Sequence, residues 1–173
     1  MNVKNEYTNE EFCNLIALKP NECGKDCKWE YKETMKEIRI NGTGEMVDFN
    51  EENIPWKAYQ NEIERITITD NITTIGNNAF INCTKLQSIE ILENIKTIGE
   101  EAFSKCYTLR TVQCPSTLQT IGKNAFSDCT LLEKIDLPQY LTEIAEGVFK
   151  NNYALKTITL GESTEIVGPD AFY

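Results

Sequence analysis

The sequence predicts a repeat solenoid, and three of its features carry that prediction. A unit of 23 residues recurs five times without insertion, with first positions Ile63, Leu86, Leu109, Leu132 and Leu155. Each unit opens with alternating apolar and polar residues, which is the pattern of a half-buried strand. Each unit also carries a phenylalanine at its eighteenth position. Because one such unit is too short to enclose a core, we expect the units to stack on one another.

The second unit shows how the strand residues divide between two sides. Leu86, Ile89 and Ile91 form the apolar side of the predicted strand. Ser88 and Glu90 alternate with them and therefore point to the opposite side, because successive side chains of a strand face opposite ways. The same division is expected in every unit.

The remainder of the unit returns the chain to the next strand. Ile95 and Ile98 turn inward again, and Gly99 suits a tight bend. The Ala102-Phe103 pair predicts a short helical or 3₁₀ turn with inward apolar groups. A period of 23 residues lies within the range of about 20 to 29 residues found in leucine-rich repeats. The predicted fold class is therefore a leucine-rich-repeat solenoid, of α/β or mainly β repeats.

Stacking places equivalent residues in columns through the core. One column consists of the phenylalanines Phe80, Phe103, Phe126, Phe149 and Phe172. Another contains Cys83, Cys106 and Cys129, with Asn152 in the same position of the fourth unit. Parallel side chains of successive repeats do not readily adopt the near-perpendicular dihedral of a disulfide. These three cysteines are therefore predicted to be buried structural thiols.

Both ends of the chain depart from the regular unit. The predicted parts of one continuous domain are an N-terminal helix and cap at 1–34, an atypical first repeat at 35–62, and five repeats at 63–173. Thr8 and Glu11 form a capping box for a short amphipathic helix over residues 7–20, which stops at Pro20. This helix is expected to cover the apolar N-terminal edge of the solenoid, and a separate binding role is the alternative.

The fifth unit ends at Tyr173, just short of its cysteine position, and no polar capping sequence follows. An uncovered edge of backbone donors, acceptors and core side chains is a template for a second copy. We therefore expect a two-fold, end-to-end homodimer or a multiple of it. The alternative is a cap lost by trimming. The residues expected at this contact are Leu160, Val167, Ala171, Phe172 and Tyr173.

Composition argues against several classes of function. A formal charge of −10 and a pI near 4.6 disfavour nucleic acid and anionic membranes as partners, because both require clustered cations. No apolar stretch has the length of a signal peptide or a membrane span, so we expect a cytoplasmic protein, with the cell surface as the alternative. Histidine is absent, which removes the commonest catalytic base and most catalytic zinc sites. We expect neither an enzyme nor a cofactor.

Polar residues alternate with the core positions of the predicted strands and form two columns. In a curved solenoid these columns are expected to line the concave face and to gather into one extended protein-binding surface. The alternative is that they are polar only to keep the solenoid soluble. The residues of the two columns are Glu37, Arg65, Ser88, Thr111, Lys134 and Thr157, and Arg39, Thr67, Glu90, Gln113, Asp136 and Thr159.

Three further cysteines lie before the repeats. Cys13, Cys23 and Cys27 could be read as zinc ligands, but structural zinc requires four ligands and this spacing matches no ribbon or finger. No metal site is therefore predicted. Cys23 and Cys27 are instead expected to form a disulfide if the protein is exported.

The string IGxxAFxxCxxLxxIxI, present as IGNNAFINCTKLQSIEI, IGEEAFSKCYTLRTVQC and IGKNAFSDCTLLEKIDL, resembles the BspA-like leucine-rich-repeat family. The resemblance continues upstream through Cys23-Gly24, Trp29 and Pro55-Trp56, and covers roughly residues 23–173. Members are commonly surface proteins implicated in adhesion, so the resemblance implies interaction and not catalysis. The predicted function is a self-associating scaffold that binds a protein partner, and the alternative is a surface adhesin.

Overall fold

The computed structural model describes residues 21–69 and 71–173, so the predicted helix at 7–20 and Cys13 lie outside the described residues. Within them the chain forms a leucine-rich-repeat fold made mainly of short strands, with 3₁₀ turns at Glu33–Met35 and Lys57–Tyr59. The strands are β1 (Glu22–Gly24), β2 (Asp26–Lys32), β3 (Glu37–Glu45), β4 (Arg65–Ile68), β5 (Asn71–Ile75), β6 (Ser88–Ile91), β7 (Thr97–Ile98), β8 (Thr111–Gln113), β9 (Thr120–Ile121), β10 (Lys134–Asp136), β11 (Glu143–Ile144), β12 (Thr157–Thr159) and β13 (Ile166–Val167).

Two stacks of parallel strands run through the molecule. In the first, β4 pairs with β6 so that Arg65 lies opposite Ser88, and β8 pairs with β10, which pairs with β12. The second stack contains the shorter strands β5, β7 and β9, and then β11 with β13. β3 belongs to both stacks, because its first half pairs with β4 and its second half with β5. The 23-residue period produces this register, since equivalent residues of neighbouring units become strand partners.

The expected helical or 3₁₀ turn after each second strand is replaced by a run of tight turns, and that detail of the prediction is wrong. Glu101 and Lys105 adopt left-handed φ angles of 53° and 61°, which a right-handed helix does not accommodate. The amides of Phe103 and Lys105 donate across to Ala125 and Ser127 of the next unit, at 2.8 and 2.9 Å. These amides are therefore not available to a helix.

The predicted phenylalanine column is present as a continuous aromatic stack. Neighbouring rings lie 5.2–6.0 Å apart from Phe80 to Phe172, with interplanar angles of 8–17°. Trp56 extends the stack into the atypical first repeat, 5.1 Å from Phe80 with an interplanar angle of 20°. Its indole N–H donates to the carbonyl oxygen of Ala79 at 2.9 Å. The first repeat therefore shares the core of the regular units despite its different sequence.

A β-hairpin that the sequence interpretation missed lies at the N-terminal side of the described chain. β1 and β2 pair in antiparallel fashion, and β2 continues along β3 with Trp29 opposite Ile40. Trp29 packs edge-on against Trp56 at 5.7 Å, and Tyr31 stacks on Tyr59 at 4.1 Å. Within the described residues, this hairpin covers the N-terminal edge strand of the solenoid, an edge that the sequence predicts to be covered by the helix at 7–20.

Candidate protein-interaction surface

The strand face is the outward side of β3, β4, β6, β8, β10 and β12, where all twelve predicted binding residues lie. Parallel pairing aligns them in the two expected columns, as with Thr67 beside Glu90 and Lys134 beside Thr157. Arg39 and Thr67 are half-buried. Nine of the twelve are exposed: Arg65, Ser88, Glu90, Thr111, Gln113, Lys134, Asp136, Thr157 and Thr159.

Side chains at the two ends of the strand face already form ion pairs or hydrogen bonds within the chain. At one end, Arg39 Nε lies 2.8 Å from Glu37 Oε2. At the other, Lys134 Nζ lies 2.7 Å from Asp136 Oδ2, and the Thr159 hydroxyl donates to Asp136 Oδ1 at 3.1 Å. The Lys134 hydrogen bond holds the pKa of the Asp136 carboxyl below its usual range.

The middle of the strand face has no such contacts. Within the described chain, the side chains of Ser88, Glu90, Thr111 and Gln113 form neither an ion pair nor a hydrogen bond to another side chain, and all four are exposed. A partner can therefore bind these groups without first displacing a contact within the protein. This central strip is the part of the face best suited to recognition.

Glu37 is not part of the open surface, so the expectation that it faces solvent is wrong. Only 4% of the residue is exposed. The cause is β2, which pairs with β3 and places Lys32 beside Glu37. The Glu37 carboxylate accepts hydrogen bonds from Thr67 Oγ1 at 2.6 Å and Arg39 Nε at 2.8 Å. Burial alone raises the pKa of this carboxyl, but these two hydrogen bonds and the charges of Arg39 and Arg65 outweigh it and lower the pKa.

Stability is expected to depend on pH through Glu37. A carboxyl whose pKa is lowered in the folded state stabilises the protein fully above its unfolded pKa of about 4.3, and this contribution is lost as the pH falls through the folded pKa. Glu37→Gln should therefore cost about 1–3 kcal/mol at neutral pH and progressively less below pH of about 4, measured by urea unfolding. Glu90→Gln, at an exposed carboxylate, is the matched control and should change little at either pH. An equal cost of Glu37→Gln at both pH values would contradict this role.

The edge of the last unit exposes most of the residues predicted for self-association. Leu160 is 44% exposed, Val167 52%, Phe172 45% and Tyr173 80%. Ala171 is only 2% exposed, so its inclusion in this surface is wrong. Its small side chain points into the core, and its carbonyl oxygen accepts the Phe149 N–H at 2.8 Å.

Ile166, with 55% exposure, is an apolar residue of the same edge that sequence reasoning missed. The position of Ile166 in the repeat could have identified it as an exposed residue. Ile166 occupies the position of Thr97, Thr120 and Glu143, whose side chains point outward from the second strand stack. An apolar residue at an outward position is therefore expected to be exposed.

The three cysteines that recur at the same position of the repeat are buried, as predicted. Cys83, Cys106 and Cys129 are free thiols with no exposed surface. Burial raises the pKa of the Cys129 thiol to about 12, and it also raises the pKa of the Cys83 and Cys106 thiols. Cys106 and Cys129 donate to the carbonyl oxygens of Phe80 and Phe103, at 3.4 and 3.3 Å. These protonated thiols are structural groups of the core.

The hairpin cysteines Cys23 and Cys27 form a disulfide bond across the β1–β2 turn. Their sulfur atoms are therefore not available to a metal ion. Within residues 21–69 and 71–173, no group of three or more cysteine, aspartate or glutamate side chains is arranged to hold a metal. Over the same ranges, the helices are too short or too polar to cross a lipid bilayer.

A polar groove of about 380 Å³ lies beside the second strand stack and is lined in part by Glu45, Asp48, Thr74 and Asn77. Two of these side chains already join neighbouring units. Asp48 Oδ1 accepts the Asn77 N–H at 2.8 Å, and Asn77 Oδ1 accepts the Glu100 N–H at 2.6 Å. These polar groups therefore have a structural explanation.

Comparison with known proteins agrees with this architecture. The family model of the BspA type leucine rich repeat region matches residues 52–173 in six copies. A leucine-rich-repeat protein of T. pallidum is 21% identical, with a TM-score of 0.53 and 84% of each chain covered, and shows the fold. No curated protein matches the chain.

A second solved structure is a leucine rich cell surface protein of Faecalibacterium prausnitzii. It is 25% identical, with a TM-score of 0.66, and the match covers 86% of the present chain. The chain spans only 45% of that larger protein. Since the family model extends over well over half of the residues, from 52 to 173, the chain belongs to the BspA-type leucine-rich-repeat family.

Proposed function

We propose that the protein is a non-catalytic scaffold that binds a protein partner on its strand face. The observation that carries the proposal is the central strip of exposed polar side chains with no side-chain partner of their own, Ser88, Glu90, Thr111 and Gln113. β6 pairs with β4 and β8 pairs with β10, so each strand that carries these side chains is anchored to a neighbouring strand, and little conformational freedom is lost when a partner binds. Leucine-rich-repeat proteins generally act as interaction scaffolds, which supports the same function.

The strand face can be tested by inverting charge without breaking an ion pair. The variant Lys134→Glu with Asp136→Lys exchanges two groups 2.7 Å apart and retains their attraction. Exchanging Lys123 and Glu146, which are 2.9 Å apart and off the strand face, is the matched control. Because charge complementarity selects partners, we expect affinity capture from native cells to lose its partners with the first exchange and to retain them with the second. Equal capture by both variants, together with unchanged capture by Glu90→Lys in the central strip, would remove the strand face as the binding surface.

We further propose that the 173-residue chain self-associates through the edge of its last unit, as a two-fold dimer. The exposed apolar residues Ile166, Val167, Phe172 and Tyr173 support this, because contiguous exposed apolar surface favours association. Val167→Lys with Tyr173→Lys should convert the dimer to a monomer in light scattering. Met35→Lys, at a residue 46% exposed elsewhere, should leave it intact. A wild-type sample that is monomeric throughout would refute the proposal.

A surface adhesin is the second candidate, and the Cys23–Cys27 disulfide favours it over a cytoplasmic protein. Disulfides persist in oxidising compartments and are rare in the cytosol. The cell-surface description of the F. prausnitzii protein supports the same location. Labelling intact cells with an impermeant amine reagent separates the two: strong labelling supports surface display, and labelling only after lysis supports the cytoplasmic scaffold.

A further inference from the structure

The strands of the first stack begin at one rim of the solenoid and end at the other. Because β6, β8, β10 and β12 run parallel, the chain enters all four strands at one edge of the sheet and leaves all four at the opposite edge. The entry rim is defined as the four seven-residue segments before these strands, 81–87, 104–110, 127–133 and 150–156. The exit rim is defined as the segments 91–97, 114–120, 137–143 and 160–166.

The two rims carry opposite charge. The entry rim has five cations and two carboxylates, although the chain as a whole has a formal charge of −10. The exit rim has four carboxylates and a single lysine. In the preceding unit Glu62 and Glu64 lie at the equivalent entry positions, so the basic stretch begins at Lys85. The repeat does not require this separation of charge, because the residues that recur in every unit are core residues and do not specify the charge of either rim.

Each rim also exposes large apolar side chains. On the entry rim, Tyr107 is 40% exposed, Leu131 38% and Tyr153 79%. The exit rim exposes Leu92 by 40%, Tyr140 by 67%, Leu160 by 44% and Ile166 by 55%. Apart from these seven, the large exposed apolar residues of the described chain are Met35, Val167, Phe172 and Tyr173.

We propose that the entry rim of one molecule binds the exit rim of a second copy. Opposite charge attracts the two rims, and the apolar side chains of each then meet those of the other. Both rims repeat with the spacing of stacked strands, about 4.7–4.9 Å per unit, so their groups can remain in register along the contact. The contact is heterologous, because it joins two different surfaces, and it leaves one free rim at each end. Molecules therefore add side by side, at a surface distinct from the strand face that shares only residues 155–156 and 160–166 with the last unit.

The size of the rims sets the strength of this contact. Four stacked units span about 14 Å, so a rim offers on the order of 300 Å². A stable complex buries about 800 Å² on each partner. The association is therefore weak in dilute solution and becomes effective where many copies are held close together. Salt should weaken it further, because the attracting charges lie at the exposed surface.

The first measurement is sedimentation of the wild-type chain over a range of protein concentration. We expect the average mass to rise with concentration up to about 1 mM protein, the range in which weak contacts form. Raising the ionic strength from about 0.1 M to about 1 M shortens the Debye length from about 10 Å to about 3 Å, and should lower the association constant at least about tenfold. The last-unit dimer alone cannot exceed two chains, so an average mass that never exceeds two chains would overturn the proposal.

Charge reversal identifies the surfaces. The entry variant carries Lys85→Glu, Lys105→Glu and Lys156→Glu, and the exit variant carries Glu143→Lys, Glu162→Lys and Glu165→Lys. Both variants also carry Val167→Lys and Tyr173→Lys, which remove the last-unit contact. Each variant then has two rims of the same sign and should remain monomeric alone. An equimolar mixture should recover the rim association, because every rim of one variant then matches a rim of the other. Both variants remain negative as whole chains, so simple attraction between oppositely charged proteins does not explain recovery. If thermal melting shows that both variants are folded and their mixture still does not associate, the proposal is overturned.

Three further variants separate this contact from association through the last unit. Tyr140→Ser with Tyr153→Ser should weaken the rim contact, whereas Met35→Ser, at a residue on neither rim, should not. The rim contact should also survive Val167→Lys with Tyr173→Lys. If those last two substitutions abolish all association and the rim variants abolish none, the rims are not an interface.

Discussion

Replacing Phe103 by alanine is expected to lower the free energy of unfolding by about 3–5 kcal/mol. Phe103 has no exposed surface, and its ring stacks between Phe80 at 5.4 Å and Phe126 at 5.2 Å. Truncation removes this buried area and leaves a cavity that the rigid strands on either side cannot close. The loss should be measured by urea unfolding followed by circular dichroism.

Phe172→Ala is the matched control for this experiment, because it changes the same residue type in the same column. Phe172 is 45% exposed and stacks on one side only, against Phe149 at 5.5 Å. Its truncation should therefore cost clearly less than that of Phe103. A cost below about 1 kcal/mol for Phe103→Ala would contradict a continuous stack.

Trp56→Ala is expected to destabilise the protein by a similar amount, about 3–5 kcal/mol, although Trp56 lies in the atypical first repeat. The indole is fully buried and contacts three aromatic side chains, those of Trp29, Phe49 and Phe80. Its loss also leaves the carbonyl oxygen of Ala79 without its hydrogen bond. Circular dichroism is the appropriate measurement, because the substitution removes one of only two tryptophans.

Trp56→Phe separates ring stacking from hydrogen bonding at this position. Phenylalanine occupies the equivalent position of every regular unit, so the stack on Phe80 should be retained. The remaining cost should be about 1–3 kcal/mol, which is the penalty for a buried carbonyl that loses its donor. If Trp56→Phe were as destabilising as Trp56→Ala, the aromatic stack would not extend into the first repeat.

Much of the fold was predictable because the repeat determines it. A constant step of 23 residues assigns the same environment to equivalent residues, so Phe103 and Cys106 could be placed in the core from their spacing alone. The tight turns were less predictable. At Glu101 and Lys105 the sequence is compatible with a helical turn, and only the hydrogen bonds to the next unit select left-handed backbone angles.

The candidate surface was predictable in position but not in its details. Alternation along the strands places Ser88 and Glu90 on the outward side without knowledge of the structure. Whether a given outward residue is exposed depends on its neighbours in space. Glu37 is covered because β2 pairs with β3, and that pairing joins residues from outside the regular repeat.

The sequence by itself therefore determined the solenoid, the contents of its core columns and the polar side of its strands. These properties depend on periodicity, which is a relation between residues along the chain. Tertiary structure alone decided that Trp56 continues the aromatic stack, that a hairpin covers the first strand, and that Glu37 is buried. Each of these features depends on contacts made by segments that depart from the regular repeat. Because such segments have no equivalent position in the other units, their neighbours in space cannot be predicted from the repeat spacing.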